Sequence, residues 1–299
     1  MPRIPLPKAL GSEPFTTTQG RRAGLSTKRM RGADLQKPFH GIRSTVPTKT
    51  VEGLARAFQR GAPDHAFFCG TTAAVIMRIP LPQRHEQARL LHVAVPAPHR
   101  APKARGTVGH KLQIREDELR MWDGIRMTSP ARTWCDLAAV LSAPDLVAAG
   151  DYLIHWELPL TSHDSLRLAV ENWPGRPGAT RLRWAVERLN DRSESRRESL
   201  LRLIVLGARI SGVVANQWII TSGGYRYRGD LVIREKKVVI EYQSRFHDGT
   251  KEFDSDMTRI SRLEADRWYV LQVNNRDLGS PGELVQRMRR VLADRPVVL

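Results

Sequence analysis

Cysteine is almost absent from this chain: Cys69 and Cys135 are the only two among 299 residues. They stand far apart in apolar surroundings, which argues against a disulfide framework or a thiolate metal cluster and leaves two reduced core thiols. Long apolar runs are also missing. No stretch approaches the roughly 20 residues that a membrane span needs, so no membrane contact is expected. The first residues, with Pro2, Pro5 and Pro7 around single apolar side chains, lack the apolar core of a secretory signal, and a cytoplasmic location is expected. There is no internal repeat and no low-complexity tract. His92, His99, His110, His155 and His163 show no metal-ligand spacing and read as core or surface residues.

Acid is the other shortage. The chain carries 48 Lys and Arg against 31 Asp and Glu, a formal charge of +17, while its hydrophobic fraction of 41% is ordinary for a globular protein. Such an excess suits a polyanionic partner, because neutralising phosphates releases condensed counterions and makes little demand on geometry. DNA is the expected partner. RNA presents phosphates too and is not excluded by charge, although no aromatic base-stacking platform is visible. The alternative is a soluble basic protein with a solvated surface.

A chain of this length holds two or three units, and the expected division is 1–50, 51–190 and 191–299. In the first, only Glu13 and Asp34 oppose ten basic residues. Thr16 to Thr18 can cap a short helix through Ala23, Gly24 breaks it, and Ser26 can cap a second helix through about Arg31. Residues 39–44 supply a short strand or wing. The outline is a small winged helix-turn-helix, and Arg21, Arg22, Lys28, Arg29 and Arg31 are its candidate DNA-binding residues. A solvated basic arm is the alternative.

The central region alternates helical and extended patterns, a mixed α+β domain serving as scaffold and for DNA positioning. Residues 71–77 read as a buried helix and 90–95 as a strand closed by Pro96. Ser129 followed by Pro130 is an N-cap and first-turn signal for another helix. A further helix is expected over 145–155 after a break at Pro144, and one over 179–189 before the chain turns at 190–193.

From Ser195 onward the pattern predicts a helix to about Leu206, then strands at 213–220, 225–233 and 237–243. A helix over 251–265, a strand over 268–273 and a last helix over 281–292 follow, giving the order αβββαβα. Alternation puts Leu231, Ile233, Val238, Ile240 and Tyr242 on one face and Asp230, Glu241 and Gln243 on the other, with polar and apolar faces separated. A turn centred between Glu235 and Lys236 sets Asp230 directly opposite Glu241, with Cβ atoms roughly 5 Å apart. Like charges so placed repel, and a divalent cation would compensate them. Pairing with Arg226, Arg228 or Lys237 at a solvated sheet end is the other reading.

Glu198 on the leading helix, Arg-Gly-Asp at 228–230, Val-Val-Ile-Glu-Tyr-Gln at 238–243 and His247 together resemble the PD-(D/E)xK nuclease superfamily. Within it they look most like the Vsr-like endonuclease domains at the C-termini of many bacterial proteins. Asp256, Arg259, Leu263, Trp268 and Val270 continue the resemblance, which covers about the last third of the chain. It implies a restriction-endonuclease-like fold, an α/β domain within an α+β protein. It also implies Mg²⁺ or Mn²⁺ held by Asp230 and Glu241, with Glu198, Gln243 and His247 as further catalytic residues. Gln243 departs from the usual Lys, and Ser244 stands where the pattern commonly has Gly. An amide can orient a water but supplies no positive charge. Asp256 and Arg259 also fit a plain i,i+3 ion pair.

More weakly, Pro-Phe-Thr at 14–16, Ala-Gly-Leu-Ser at 23–26, Pro-Phe-His-Gly at 38–41, Thr-Thr-Ala-Ala at 71–74 and the segment 128–134 are similar to abortive-infection type IV antitoxin-like proteins. That group joins an N-terminal winged helix-turn-helix to a mixed domain and acts in DNA-binding repression. The expectation is therefore a metal-dependent DNA endonuclease targeted by an N-terminal module. A catalytically degenerate DNA-binding regulator is the alternative, with a homodimer and a toxin or repair partner left open.

Overall fold

The computed structural model describes residues 5–87, 89–243 and 250–297. The protein is mixed α+β. It divides into two compact units, one formed by Met1–Leu141 with Asp164–Arg183 and the other by Ser142–His163 with Trp184–Leu299. The expected boundaries at 50 and 190 are thus redrawn: the first fifty residues share a unit with the central sheet, and Ser142–His163 goes with the C-terminal elements.

In the first unit, β1 (Phe15–Thr16) pairs antiparallel with β2 (Ile42–Arg43). The helix Thr17–Arg22 starts where expected, because the Thr16 hydroxyl accepts the Gln19 N–H at 3.0 Å and the Gln19 side chain accepts the Thr16 N–H at 2.8 Å. Gly24, at φ +82°, follows the end of that helix. The second helix of the expected helix-turn-helix is not there at full length. The Ser26 hydroxyl does accept the Arg29 N–H at 3.1 Å, but only the 3-10 turn Arg29–Arg31 follows. Gly32 then extends the backbone, and the Arg29 guanidinium turns back onto Asp34. One 3-10 turn is too short to lie along a major groove as a recognition helix does.

A five-stranded sheet follows, made of β3 (Phe67–Phe68), β4 (Leu91–Pro96), β5 (Thr107–Leu112), β6 (Leu119–Trp122) and β7 (Ile125–Thr128). Its order is β5-β4-β3-β7-β6, with β4/β5 and β3/β7 parallel and the other pairs antiparallel. The helix Gly70–Ile76 is buried as expected, and Ser129 caps the helix Pro130–Leu137 by accepting the Arg132 N–H at 3.3 Å. Cys69 and Cys135 are buried free thiols. Burial pushes both above the ordinary thiol range, Cys135 to about 12, so neither is a thiolate at neutral pH.

The second unit begins with the helix Ala143–Leu153, capped by Ser142. Pro144 sits in its first turn, where its missing N–H has no partner to lose, so it opens the helix instead of breaking the chain before it. The C-terminal elements then follow the expected order: helix Arg196–Gly207, β8 (Val213–Ile220), β9 (Arg226–Ile233), β10 (Val238–Tyr242), helix Thr250–Ala265, β11 (Tyr269–Val273) and helix Pro281–Ala293. A short helix, Asn275–Gly279, adds to that order.

The sheet runs β11-β10-β9-β8, with β10/β11 parallel and the remaining pairs antiparallel. One face buries Leu231, Ile233, Val238 and Ile240 against Leu201, Val205, Leu284 and Met288. The opposite face, expected to be polar, also buries a core: Val232 and Val239 pack with Ile219, Leu263 and Trp268. Strands covered on both sides read as continuous apolar runs, and polarity is confined to their ends.

Buried ion pairs fix the upstream helix to the leading one. Asp151, 1% exposed, accepts from Ser199 Oγ at 2.7 Å, from the Asn190 N–H at 2.7 Å and from Arg202 at 2.8 Å. Asp145 pairs with Arg196 at 2.5 Å. Removing one partner of a buried pair strands the other charge. Asp151→Ala is expected to destabilise the protein by about 3–5 kcal/mol, read as a lowered urea midpoint, whereas substituting the exposed Asp164 should leave the midpoint unchanged.

Candidate functional site

The short turn Arg234–Lys236, closed by Lys237 in the left-handed region (φ 47°), joins β9 to β10. The register pairs Val238 with Ile233, Val239 with Val232 and Ile240 with Leu231. The pairing ends there; Asp230 and Glu241 are the next residues of the two strands, and the Tyr242 N–H turns to the Asp230 carboxylate. On the outer sides of this pair the same level holds Asn216 of β8 and Gln272 of β11, since Ala215 and Gln217 pair with Leu231 and Gly229, and Glu241 pairs with Gln272. Gly229 of the Arg-Gly-Asp segment is a packing requirement. A methyl at that position would overlap the Val239 and Val232 side chains.

Asp230 and Glu241 line a pocket of about 140 Å³ together with Arg228, Tyr242, Gln243, Asp256 and Arg259. Asp230 Oδ2 accepts the Tyr242 N–H at 2.7 Å. Burial, then the charge of Glu198, push the Asp230 carboxyl up to about 7, with Glu241 adding to the rise and the Tyr242 N–H and Arg259 opposing it. Glu241, 5% exposed, is clasped by both guanidinium nitrogens of Arg259, one of them at 2.6 Å from Oε2.

Arg259 is the residue that sequence spacing undervalued. Its i,i+3 contact with Asp256 exists at 3.7 Å, but its main partner is Glu241. It lies one helical turn before Leu263, whose burial under the sheet aligns the guanidinium with the carboxylates. The basic residues expected at a solvated sheet end go elsewhere: Arg228 pairs with Glu194, Arg226 stacks on Trp218 at 4.9 Å, and Lys237 donates to the Asp266 carbonyl at 3.1 Å.

Glu198 does not line the pocket. It stands in the first turn of Arg196–Gly207, where Oε2 accepts the Glu194 N–H at 2.9 Å and the Asn216 amide at 3.3 Å, and it reaches Asp230 through its charge. Gln243 lines the pocket, and its N–H donates to the Val273 carbonyl at 2.7 Å. His247 and Ser244 lie outside the described residues. Among the five basic residues proposed to touch DNA, Arg21, Arg22, Lys28 and Arg31 are exposed. Arg29 is committed to Asp34 at 2.8 Å and is only 9% exposed. His92 and His110 meet at 3.0 Å between ring nitrogens and His65 stacks on His99, contacts that spacing did not reveal.

Among the described residues no three His, Cys, Asp or Glu side chains converge as a metal cluster. Mg²⁺, however, is commonly held by one or two carboxylates, with water and phosphate oxygens completing its shell. Asp230 and Glu241 meet that requirement, because each carboxylate has lone pairs beyond those used by Tyr242 and Arg259. The Asp230 carboxyl is raised first by burial and then by the charge of Glu198, so a cation beside it would favour its ionised form.

Two Mycobacterium tuberculosis proteins are similar to this chain: the uncharacterized proteins Rv2248 of strain ATCC 25618 / H37Rv and MT2308 of strain CDC 1551 / Oshkosh. Each is 26% identical over 230 residues, covering 76% of this chain and 82% of the relative. No family model matches the chain, and no solved structure matches it. Among the described residues no helix is long and apolar enough to cross a membrane.

A carboxyl whose folded pKa is raised favours the folded state most at low pH, and that contribution is lost as pH rises from 3.8 through about 7. The full span is worth roughly 4 kcal/mol. Without metal, thermal melts should show falling stability over that window, and Asp230→Asn should flatten the slope and raise the pH 8 Tm by roughly 5 °C or more. Equal slopes in the two proteins would remove Asp230 as the titrating group.

Proposed function

We propose that the C-terminal unit is a divalent-metal-dependent DNA endonuclease of the PD-(D/E)xK, Vsr-like kind. The observation that carries this reading is that Asp230 of β9 and Glu241 of β10, the residues next after the last paired positions, open into one pocket with Gln243 and Arg259. A leading helix, three antiparallel strands, a crossover helix and a parallel fourth strand agree with the restriction-endonuclease-like architecture that the resemblance implies.

Asp230 and Glu241 are the residues that would hold Mg²⁺ or Mn²⁺. Such an ion, when bound, polarises a phosphodiester oxygen and lowers the pKa of water. The remaining roles fall to the chain's own groups. Gln243 orients water or phosphate by hydrogen bonding without adding charge. Arg259 supplies the cation that Gln243 does not: its guanidinium lines the same pocket and can meet a phosphate in the forked geometry it shows with Glu241. Glu198 raises the proton affinity of Asp230 and is itself held by the Glu194 N–H and the Asn216 amide, which makes it a positioning residue. Arg21, Arg22, Lys28 and Arg31 are exposed for DNA phosphates in the first unit.

One observation favours a second reading, a DNA-binding regulator without turnover. Glu241 is already neutralised by Arg259, so binding needs no added cation. The two readings separate on supercoiled plasmid with Mg²⁺ or Mn²⁺ against EDTA. The nuclease reading expects metal-dependent nicking that Asp230→Ala and Glu241→Ala abolish, a loss of about 10²-fold in Arg259→Ala, and faster nicking in Gln243→Lys. Tight DNA binding with no nicking by the wild-type protein would assign the regulator instead.

A further inference from the structure

The N-terminal unit contains a large groove of about 1450 Å³ lined by residues drawn from 17–43, 54–63 and 89–106. Its lining includes Arg21, Arg31 and Lys37 from the first of these stretches and Arg89, Lys103 and Arg105 from the last. All six are exposed, and no Asp or Glu lines the groove. Among the described residues none of the six forms an ion pair, as is also true of Arg22, Lys28, Arg84 and Arg120 of the same unit. The remaining lining includes Phe39, Leu54 and Phe58, with Phe39 half-buried and set edge-to-face on Phe58 at 5.2 Å between centroids.

A groove lined by six cationic side chains with apolar and aromatic side chains among them suits a polyanion with an apolar interior that has been opened. A duplex keeps its bases stacked inside and offers phosphates only on its outer surface, so it has nothing to place against Phe39. An unpaired strand offers both: phosphates for the cations and base faces for the aromatic ring. We propose that this groove binds a single unpaired nucleic-acid strand, with its phosphates on Arg21, Arg31, Lys37, Arg89, Lys103 and Arg105 and a base against Phe39. The proposal rests on the reading of this protein as nucleic-acid binding and does not require cleavage. It also gives Arg21 and Arg31 a role that the missing recognition helix left open.

The test uses the full chain carrying Asp230→Asn, in EDTA, so that chemistry at the carboxylates does not enter. Fluorescence anisotropy is read with a short labelled oligo-dT strand and a blunt duplex of the same length. The single strand should bind roughly 10-fold more tightly than the duplex. Lys103→Glu with Arg105→Glu should weaken single-strand binding by at least 10-fold and lower the salt slope by about 1.4, at roughly 0.7 per phosphate contact. Phe39→Ala should weaken it by roughly 5-fold or more, with a thermal melt confirming the fold. Arg84→Glu with Arg120→Glu makes the same charge change on exposed residues outside the groove and should have a much smaller effect. Equal losses in the two double variants would overturn the groove as the site. Duplex binding as tight as single-strand binding and as sensitive to Lys103 and Arg105 would overturn the single strand as its occupant. Nicking of plasmid by the wild type is scored separately, so either result stands whether or not the nuclease reading survives.

Discussion

The pairing of β9 with β10 is the constraint on which the chemistry of the C-terminal unit depends. Leu231, Ile233, Val238 and Ile240 are buried on one face, and Val232 and Val239 on the other. A slip of one residue would exchange the two sets and put each against helices shaped for the other. The turn at Arg234–Lys236 leaves little room for such a slip, because Lys237 adopts the left-handed conformation that closes it. The level of Asp230 with Glu241 is therefore a by-product of core packing. Gly229 completes the arrangement by leaving Val232 and Val239 the space that a side chain would take.

Once two carboxylates are held together, their repulsion must be met by something. Three features bear on this: Arg259 on Glu241, a proton affinity at Asp230 raised first by burial and then by Glu198 with Glu241 adding to it, and a divalent cation as the resemblance suggests. The first two act in the protein by itself and are unequal. Arg259 neutralises Glu241 through two hydrogen bonds, whereas Asp230 has one backbone N–H and faces Glu198 as well. Asp230 is consequently where added positive charge would gain most, and Glu241 is where an incoming phosphate would compete for a guanidinium. The pocket is asymmetric in a way that the symmetric pairing in the strands does not suggest.

The elements of the C-terminal unit were legible because they are written locally: alternation along strands, a turn of fixed length, and helices opened by the Ser195 cap and by Pro281 in a first turn. The partner of Arg259 was not legible, since Asp256 stands at helical spacing while Glu241 is reached only through the crossover that packs Leu263 on the sheet. At the N-terminus local signals were correct and still insufficient. Thr16 and Ser26 make the capping bonds expected of them, yet Gly32 and the Arg29–Asp34 pair stop the second helix after one turn. The basic groove was invisible for the opposite reason: its cations belong to ordinary basic stretches until the fold brings them into one lining.

The unit boundary shows the same limit. The turn expected at 190–193 resembles a linker, and a linker is where domains are usually divided. The helix Ala143–Leu153, upstream of that stretch, nevertheless belongs to the C-terminal unit, because its Asp145 and Asp151 face Arg196 and Arg202. Both arginines sit on the helix that also carries Glu198, so the upstream acids help to set the helix from which Glu198 acts on Asp230. A fragment beginning at 191 would keep every strand and both carboxylates of the pocket while leaving Arg202 without its buried partner. The ionic contacts made before the apparent boundary are therefore part of what orients the site after it.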